Sequence, residues 1–263
     1  MIRVAGLDIG FSRSRPSSGV ATLADGQLTL RRCMSGDAAI APIRDTGPYE
    51  VIAIDGPIVS DGADPWTRRG VERLFASGPF QRRCKPAASH VVGTGRQLRE
   101  AACVAANALA SVASRSVGGA TFPLVRSGTI VETFPNTFLG VCLGDQIYRD
   151  MPPLKRGRKF DWLYEQWNQS ALIEKFSLPE GADILPHSFR ITENHDERAA
   201  LVCLLAALLV AQGSFIAVGD EEDGWFFLPP RQVWQPWAYD ALNAQVKRLR
   251  EEGSRLRIAV SLS

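Results

Sequence analysis

Runs of apolar residues, several of them rich in β-branched side chains, predict the strands of the chain. The clearest is 51–55, Val-Ile-Ala-Ile-Asp, which Gly56-Pro57 brings to an end. The runs 19–23 and 27–31 flank an Asp-Gly dipeptide, which favours a tight turn and predicts a hairpin. Because the stronger runs show little alternation of apolar and polar residues, we expect the central strands to be buried on both faces of a sheet. Further strands are predicted at 4–9, 129–134, 215–218, 225–227 and 255–260.

Helical spacing of small and apolar residues predicts α-helices between these strands and after them. The longest apolar run, 199–211, has 13 residues. A membrane-spanning helix needs about 20 residues, so this run predicts a buried core helix, and Asn194 is placed to cap its N-terminus. Other helices are predicted at 35–44, 96–113, 160–176 and 237–251.

Composition places the chain among globular proteins. Apolar residues make up 45% and charged residues 22% of the 263 residues, which excludes a disordered chain. The first residues lack the layout of a signal peptide. The five cysteines are odd in number and include no C-x-x-C pair, which argues against a disulfide framework or a cysteine-rich zinc site. These features predict a cytoplasmic protein with no membrane partner.

The order of the predicted elements is β-β-β-α-β-α-β, then an irregular insertion, then a helix. This is the order of the ribonuclease H-like fold, an α/β fold with a mixed five-stranded sheet flanked by helices. The first three strands of that sheet form an antiparallel meander, and the next two run parallel to the first. We predict such a domain over 1–230, with insertions at about 58–95 and 136–192, the second forming a helical cap. Residues 231–263 are predicted to add a helix and a strand that pack on this domain.

Acidic residues stand where these elements meet one edge of the predicted sheet. Asp8 and Asp55 end strands, and Glu132 lies near the end of another. Asp196 lies at the start of the core helix. Because the carboxyl ends of parallel strands share one edge, we expect these four carboxylates to converge as the metal-binding and catalytic residues. Oxygen ligands without His or Cys select Mg²⁺ or Mn²⁺, and two such ions can hold the attacking and leaving oxygens of a phosphoryl transfer.

Each acid also has a structural interpretation. Burying a carboxylate at the end of an apolar strand is costly unless it is paired or binds a metal, which favours a functional role for Asp8 and Asp55. Glu132 could instead pair with a Lys or Arg of the insertion. Asp196 could only complement the helix dipole, and Glu197 is an equally placed candidate for the fourth ligand.

Positive charge is concentrated in one irregular stretch. Residues 66–99 contain eight basic residues and one acid, Glu72, and therefore carry +7 in a chain of net charge +2. Gly, Pro and aromatic residues interrupt the stretch, which indicates a loop laid over another part of the protein. A solvated basic surface is the alternative to the predicted partner, which is nucleic acid or another phosphate-bearing ligand. The predicted substrate-binding residues are Arg69, Arg82, Arg83, Lys85 and Arg96. The run 155–159, Lys-Arg-Gly-Arg-Lys, is a second predicted phosphate contact.

A series of short motifs follows the predicted strand ends in order. They are 4–8 Val-Ala-Gly-Leu-Asp, 19–21 Gly-Val-Ala, 54–57 Ile-Asp-Gly-Pro, 68–73 Arg-Arg-Gly-Val-Glu-Arg, 132–135 Glu-Thr-Phe-Pro, 194–200 Asn-His-Asp-Glu-Arg-Ala-Ala, 224–225 Gly-Trp and Pro229. Over about residues 3–230, this set resembles the family called domain of unknown function 429, described as predicted nucleases of the ribonuclease H-like fold. The resemblance implies that fold, a nuclease activity, and acidic positions at Asp8, Asp55, Glu132 and Asp196. The family more often has Tyr where this chain has Phe134, a change not expected to affect metal binding.

The predicted function is a metal-dependent nuclease that hydrolyses phosphodiester bonds. His195, beside the predicted helix cap, is expected to be a surface residue, with a proton shuttle as the alternative. A non-catalytic binding protein on the same fold is the second interpretation. An actin-like ATP-dependent phosphotransferase is the third, because Asp8-Ile9-Gly10 resembles the Asp-x-Gly after its first strand and the loop 12–18 could face phosphates. That class needs two duplicated halves, and the sequence shows no second half.

Overall fold

The strands and helices follow the predicted order closely. The computed structural model describes residues 2–11, 15–59, 64, 66–86, 88–115, 125, 127–155 and 157–261. The strands within these ranges are β1 Val4–Asp8, β2 Ser17–Ala24, β3 Gln27–Met34, β4 Val51–Asp55, β5 Ser114–Arg115, β6 Thr129–Thr133, β7 Ile216–Asp220, β8 Gly224–Leu228 and β9 Arg257–Val260. The helices are α1 Asp37–Arg44, α2 Gly70–Phe75, α3 Gly78–Arg83, α4 Thr94–Ala108, α5 Pro135–Gly140, α6 Asp145–Arg149, α7 Lys159–Gln169, α8 Leu185–Ile191, α9 His195–Ala211 and α10 Pro236–Glu251.

The strands form one mixed sheet in the order β3-β2-β1-β4-β6-β8-β7-β9, and the two-residue strand β5 pairs with the start of β6. The meander β1-β2-β3 is antiparallel, and β4 and β6 run parallel to β1, as predicted. Asp25 and Gly26 both have positive φ in the turn between β2 and β3, which confirms the predicted hairpin.

The prediction of a five-stranded sheet is wrong, because the described sheet has nine strands. The hairpin β7-β8 lies beside β6, and β9 pairs with β7 at the outer edge. The region 231–263 therefore supplies an edge strand to the sheet as well as α10. Strands were predicted at 215–218 and 225–227, but their sequences do not indicate the neighbouring strand with which each one pairs.

Helix α9 is the central helix of one face of the sheet and packs on β1, β2 and β4. Asn194 caps it, as predicted, and 12 of its 17 residues are buried, all of them after the first turn. Gly6 on β1 contacts the backbone of α9 at Leu204, and Gly19 on β2 contacts it at Asp196, so a Cβ at either glycine would collide with the helix. The contact at Gly19 brings the first turn of α9 against the start of β2. Helices α1 and α4 cover the opposite face.

Both predicted insertions contain more helix than expected. The stretch 66–99, predicted to be irregular, forms α2 and α3 and includes the beginning of α4. The predicted helix at 160–176 is α7 followed by a 3-10 turn at Leu172–Lys175. All five cysteines are free. Within the described ranges, no helix has the length and apolar character needed to cross a membrane.

Candidate active site

Asp8 and Asp55 lie side by side at the carboxyl ends of two parallel strands. They are the last residues of β1 and β4 and are partners in the register of this strand pair. Leu7 and Ile54, one residue earlier, pack with α1 and α4. Because side chains alternate between faces along a strand, both carboxylates point to the other face, which α9 covers. The structure therefore brings these two predicted acids together.

Burial and mutual repulsion change the protonation of both carboxyl groups. Burial raises the pKa of Asp8 well above its ordinary value, and the negative charges of Asp55 and Asp196 raise it further. Burial and the negative charge of Glu132 raise the pKa of Asp55 to about 7, while the positive charge of Arg15 opposes this shift. The Asp55 Oδ1 atom is shielded from solvent and has no hydrogen-bond partner among the described residues. Such an atom is costly unless a proton, a cation or a ligand meets it.

Asp196 reaches the same site from the first turn of α9. The Asn194 side-chain oxygen accepts hydrogen bonds from the backbone N–H groups of Asp196 and Glu197 at 3.0 and 3.2 Å, which fixes this turn. The Asp196 carboxylate accepts a hydrogen bond from the Ser17 hydroxyl at 2.6 Å and pairs with Arg32 at 3.0 Å. Of the two sequence candidates on α9, the structure brings Asp196 to the site.

Glu132 points away from the two aspartates. In the register of β4 and β6, Glu132 is level with Ile54, whereas Thr133 is level with Asp55. Its side chain therefore leaves the sheet on the face opposite to the Asp55 carboxylate. The structure does not bring Glu132 into line with the other three predicted acids.

Arg69 holds the Glu132 carboxylate on that opposite face. Its Nη1 and Nη2 atoms donate to the two carboxylate oxygens at 2.8 and 2.7 Å, and the Ile58 backbone N–H donates at 2.9 Å. Burial raises the pKa of Glu132 to about 7 despite the opposing effect of Arg69. Arg69 is only 1% exposed, and its Nε donates to the Asp223 carbonyl at 2.7 Å. The structure thus places Arg69 in the interior as the partner of Glu132, not on a surface that a substrate reaches.

A cleft of about 950 Å³ opens over the aspartates. Asp8, Asp55 and Asp196 line it, whereas Glu132 and Glu197 are not among its described lining residues. A cleft that acidic and basic side chains both line can hold a cation at the acids and an anionic ligand at the basic groups. The basic residues that line the cleft are Arg15, Arg32, Lys85, Arg158 and Lys159.

Two residues of the basic stretch lie near Lys159. Lys85 lines the cleft and is exposed, so its predicted contact with a substrate is sterically open. Arg82 is also exposed but is not among the described residues that line the cleft. Its carbonyl accepts a hydrogen bond from the Lys159 ammonium. The backbone of Arg82 therefore positions a lysine of the cleft.

The other two surface candidates of the basic stretch interact with aromatic rings. Arg83 pairs with Asp145 at 2.5 Å, and its Cζ lies 4.0 Å from the ring centre of Trp237. The Cζ of Arg96 lies 3.6 Å from the ring centre of Trp66. Arg83 thus joins α3 to α6 and α10 and is not among the described lining residues of the cleft.

His195 is partly buried at the edge of the cleft. Its Nδ1 lies 3.0 Å from an Asp161 carboxylate oxygen, and this hydrogen bond raises the pKa of His195 although burial opposes it. Arg158 and Arg198 approach the same carboxylate at 3.4 and 3.7 Å. His195 lies beside the Asn194 cap and stays about one third exposed, as expected of a residue near the surface, but its ring is hydrogen-bonded to Asp161. The proton-shuttle alternative stays a prediction.

Four residues that line the cleft have no role in the metal-dependent site as the sequence predicts it: Arg15, Ser17, Arg32 and Asp161. The serines and arginines of the loop 12–18 indicated a phosphate contact for Arg15 and Ser17, but only in the phosphotransferase interpretation. Residues 12–14 lie outside the described residues. Arg32 lies on the edge strand β3, where a single basic residue does not by itself indicate a functional site.

The described residues include no group of three or more His, Cys, Asp or Glu side chains placed to hold a metal ion. Compared with known proteins, the chain matches no family model, no curated protein and no solved structure.

Proposed function

We propose that this protein is a divalent-metal-dependent nuclease that hydrolyses phosphodiester bonds of nucleic acid. The observation that carries the proposal is the register pair Asp8 and Asp55 at the carboxyl edge of the sheet, in a cleft lined by basic side chains. Ligands of open α/β sheets bind at this edge. The basic side chains that line the cleft favour an anionic substrate such as a nucleic-acid backbone.

The topology supports a ribonuclease H-like domain as part of this proposal. The antiparallel meander β1-β2-β3, with β4 and β6 parallel to β1, has the strand order expected of that fold. Helix α9 packs on the central strands and carries Asp196. In this interpretation the strands β7, β8 and β9 extend the sheet beyond its five expected strands.

The acidic donor set fits Mg²⁺ or Mn²⁺, since both prefer oxygen ligands. Asp8 and Asp55 would hold the metal, and the shielded Asp55 Oδ1, which has no hydrogen-bond partner among the described residues, is the kind of atom that a cation satisfies. Asp196, which contacts Ser17 and Arg32, is the third carboxylate at the site. When bound, such ions lower the pKa of an attacking water and stabilise the leaving oxygen of a phosphodiester.

The remaining side chains of the cleft bind and orient the substrate. Lys85, Arg158 and Lys159 come from two separate segments and are placed to contact phosphate groups from one side of the cleft. The positive charge of Arg15 opposes the rise in the pKa of both Asp8 and Asp55 and so partly balances their negative charge. The Ser17 and Arg32 contacts hold the Asp196 carboxylate in the cleft.

Cleavage of labelled DNA and RNA, single- and double-stranded, with Mg²⁺ or Mn²⁺ tests this proposal. Asp8→Asn keeps the shape of the side chain but removes its charge, and we expect a loss of at least about 10² in rate. Asp240→Asn is the matched control, because Asp240 is an exposed carboxylate on α10, and its rate should equal that of the wild type. Absence of metal-dependent cleavage by the wild type would refute the proposal. Equal cleavage by the wild type and Asp8→Asn would refute it too.

A further inference from the structure

An exposed tryptophan stands in the basic stretch, outside the acidic site. Trp66 is 64% exposed, although tryptophan is usually well buried. The Cζ of Arg96 lies 3.6 Å from the centre of its ring, which is a stacking distance. The Arg96 Nε and Nη2 atoms are shielded and have no hydrogen-bond acceptor in the described part of the chain. Arg96 covers one face of the indole. Because most of the Trp66 side chain is exposed, the other face is open to a ligand.

A local turn holds Trp66 at the surface of the protein. The Asp64 carboxylate accepts hydrogen bonds from the Trp66 backbone N–H at 2.9 Å and from the Thr67 hydroxyl at 2.5 Å. The Asp64 carbonyl accepts a further hydrogen bond from Arg99 on α4 at 3.3 Å. The exposed indole is therefore attached to α4 through both its backbone turn and its stacking partner, Arg96.

Helix α4 connects this stack to the cleft. Arg96 lies in the first turn of α4, and Leu98, two residues later, lines the cleft. Leu98 and Ala102 pack against Gly56, the residue after Asp55. Arg96 and Leu98 are two residues apart and leave the helix on nearly opposite sides, so α4 carries the stack on one side and lines the cleft with the other.

We propose that Trp66 and Arg96 form a stacking site for an unpaired nucleobase, and that the nuclease acts on single-stranded nucleic acid. This inference rests on the proposed function and specifies its substrate class. Any base can stack its ring on an open indole face, whereas the bases of a duplex are already stacked on one another. Arg96 adds a cation–π contact on the far side of the indole and positive charge near the phosphates.

Fluorescence anisotropy with a labelled oligothymidylate and with a duplex of the same length tests the proposal, in EDTA and again with Ca²⁺. Trp66→Ala should weaken binding of the single strand about 5- to 150-fold and leave duplex binding unchanged. Trp66→Phe should retain most of the affinity, because phenylalanine also stacks. Ile191→Ala is the control, since Ile191 is 62% exposed and lies on α8, and binding should be unchanged.

A spectroscopic readout separates stacking from a structural effect. A base that stacks on Trp66 quenches its fluorescence, so Trp66→Phe should lose part of the quenching by the single strand while keeping the affinity. An unchanged affinity in Trp66→Ala would overturn the proposal. An equal loss for the duplex, or a wild type that binds no single strand in either condition, would also overturn it.

The binding measurement needs no cleavage, so this inference and the proposed function fail separately. Cleavage of single strands together with full binding by Trp66→Ala would refute the stacking site and leave the nuclease intact. Binding through Trp66 without cleavage of any nucleic acid would refute the nuclease and leave the stacking site intact.

Discussion

Asp8 and Asp55 are register partners at the ends of two parallel strands, with their carboxylates on the same face of the sheet. Neighbouring strands lie about 4.8 Å apart, so the two side chains start from backbones that are close together. Burial and repulsion raise the pKa of both groups. This arrangement stores unfavourable energy that a proton or a divalent cation relieves.

Asp55→Asn should therefore stabilise the protein when no divalent cation is present. The substitution removes one of two repelling carboxylates, and we expect the free energy of unfolding in EDTA to rise by on the order of 1 kcal/mol. Urea denaturation measures the change, with Asp240→Asn as the control for an exposed carboxylate. Addition of Mn²⁺ should stabilise the wild type more than Asp55→Asn. A variant that is less stable than the wild type in EDTA would contradict this expectation.

Stability without a divalent cation should fall as the pH rises. The pKa values of Asp55 and Glu132 are raised to about 7 and that of Asp8 is also raised well above its ordinary value, so the folded protein binds these protons more tightly than the unfolded chain. The stabilisation is present below about pH 4, where the unfolded carboxyls are also protonated, and is lost as the pH rises through about 7. Thermal melts in EDTA at several values between these limits measure the decline, which should be shallower in Asp55→Asn. A melting temperature that rises over this interval would show that other groups dominate.

Loss of Arg69 should destabilise the fold strongly. Arg69→Met leaves the Glu132 carboxylate buried without its bidentate partner, and the expected cost is about 3–5 kcal/mol. Adding Glu132→Gln to Arg69→Met should recover part of this cost. Arg73→Met is the control, because Arg73 pairs with Glu252 on the surface at 2.7 Å, and it should cost less than about 1 kcal/mol. Chemical denaturation measures all three variants, and a double variant no more stable than Arg69→Met would disprove the pairing argument.

Basic residues that line the cleft should contribute to substrate affinity more than those beside it. Each phosphate contact contributes about 0.7–0.9 to the slope of log affinity against log salt, so Lys85→Ala should weaken binding and reduce that slope. Arg82→Ala is the matched control, because Arg82 is exposed three residues away but is not among the described residues that line the cleft. Titration of a labelled oligonucleotide at several salt concentrations measures both quantities. Equal effects of the two substitutions would indicate a diffuse basic surface instead of contacts in the cleft.

The central strands and the positions of Asp8 and Asp55 were predictable from the sequence alone. Val51–Asp55 is dense in β-branched residues and is followed by Gly56-Pro57, so both its strand and its end were predictable. The predicted element order made this strand parallel to β1, and parallel strands end at one edge. The sequence therefore predicted that Asp8 and Asp55 lie side by side. Asn194 was likewise recognisable as a helix cap.

The direction of the Glu132 side chain and its pairing with Arg69 were not predictable from the sequence. The strand β6 is buried on both faces, so its sequence shows no alternation that would tell one face from the other. A shift of one residue in register changes the face of every side chain. The charge of 66–99 was equally uninformative, because a count of basic residues does not separate Arg69, 1% exposed and paired with Glu132, from the exposed Lys85. Side-chain direction and charge pairing depend on contacts between residues far apart in the chain, and only the folded structure sets those contacts.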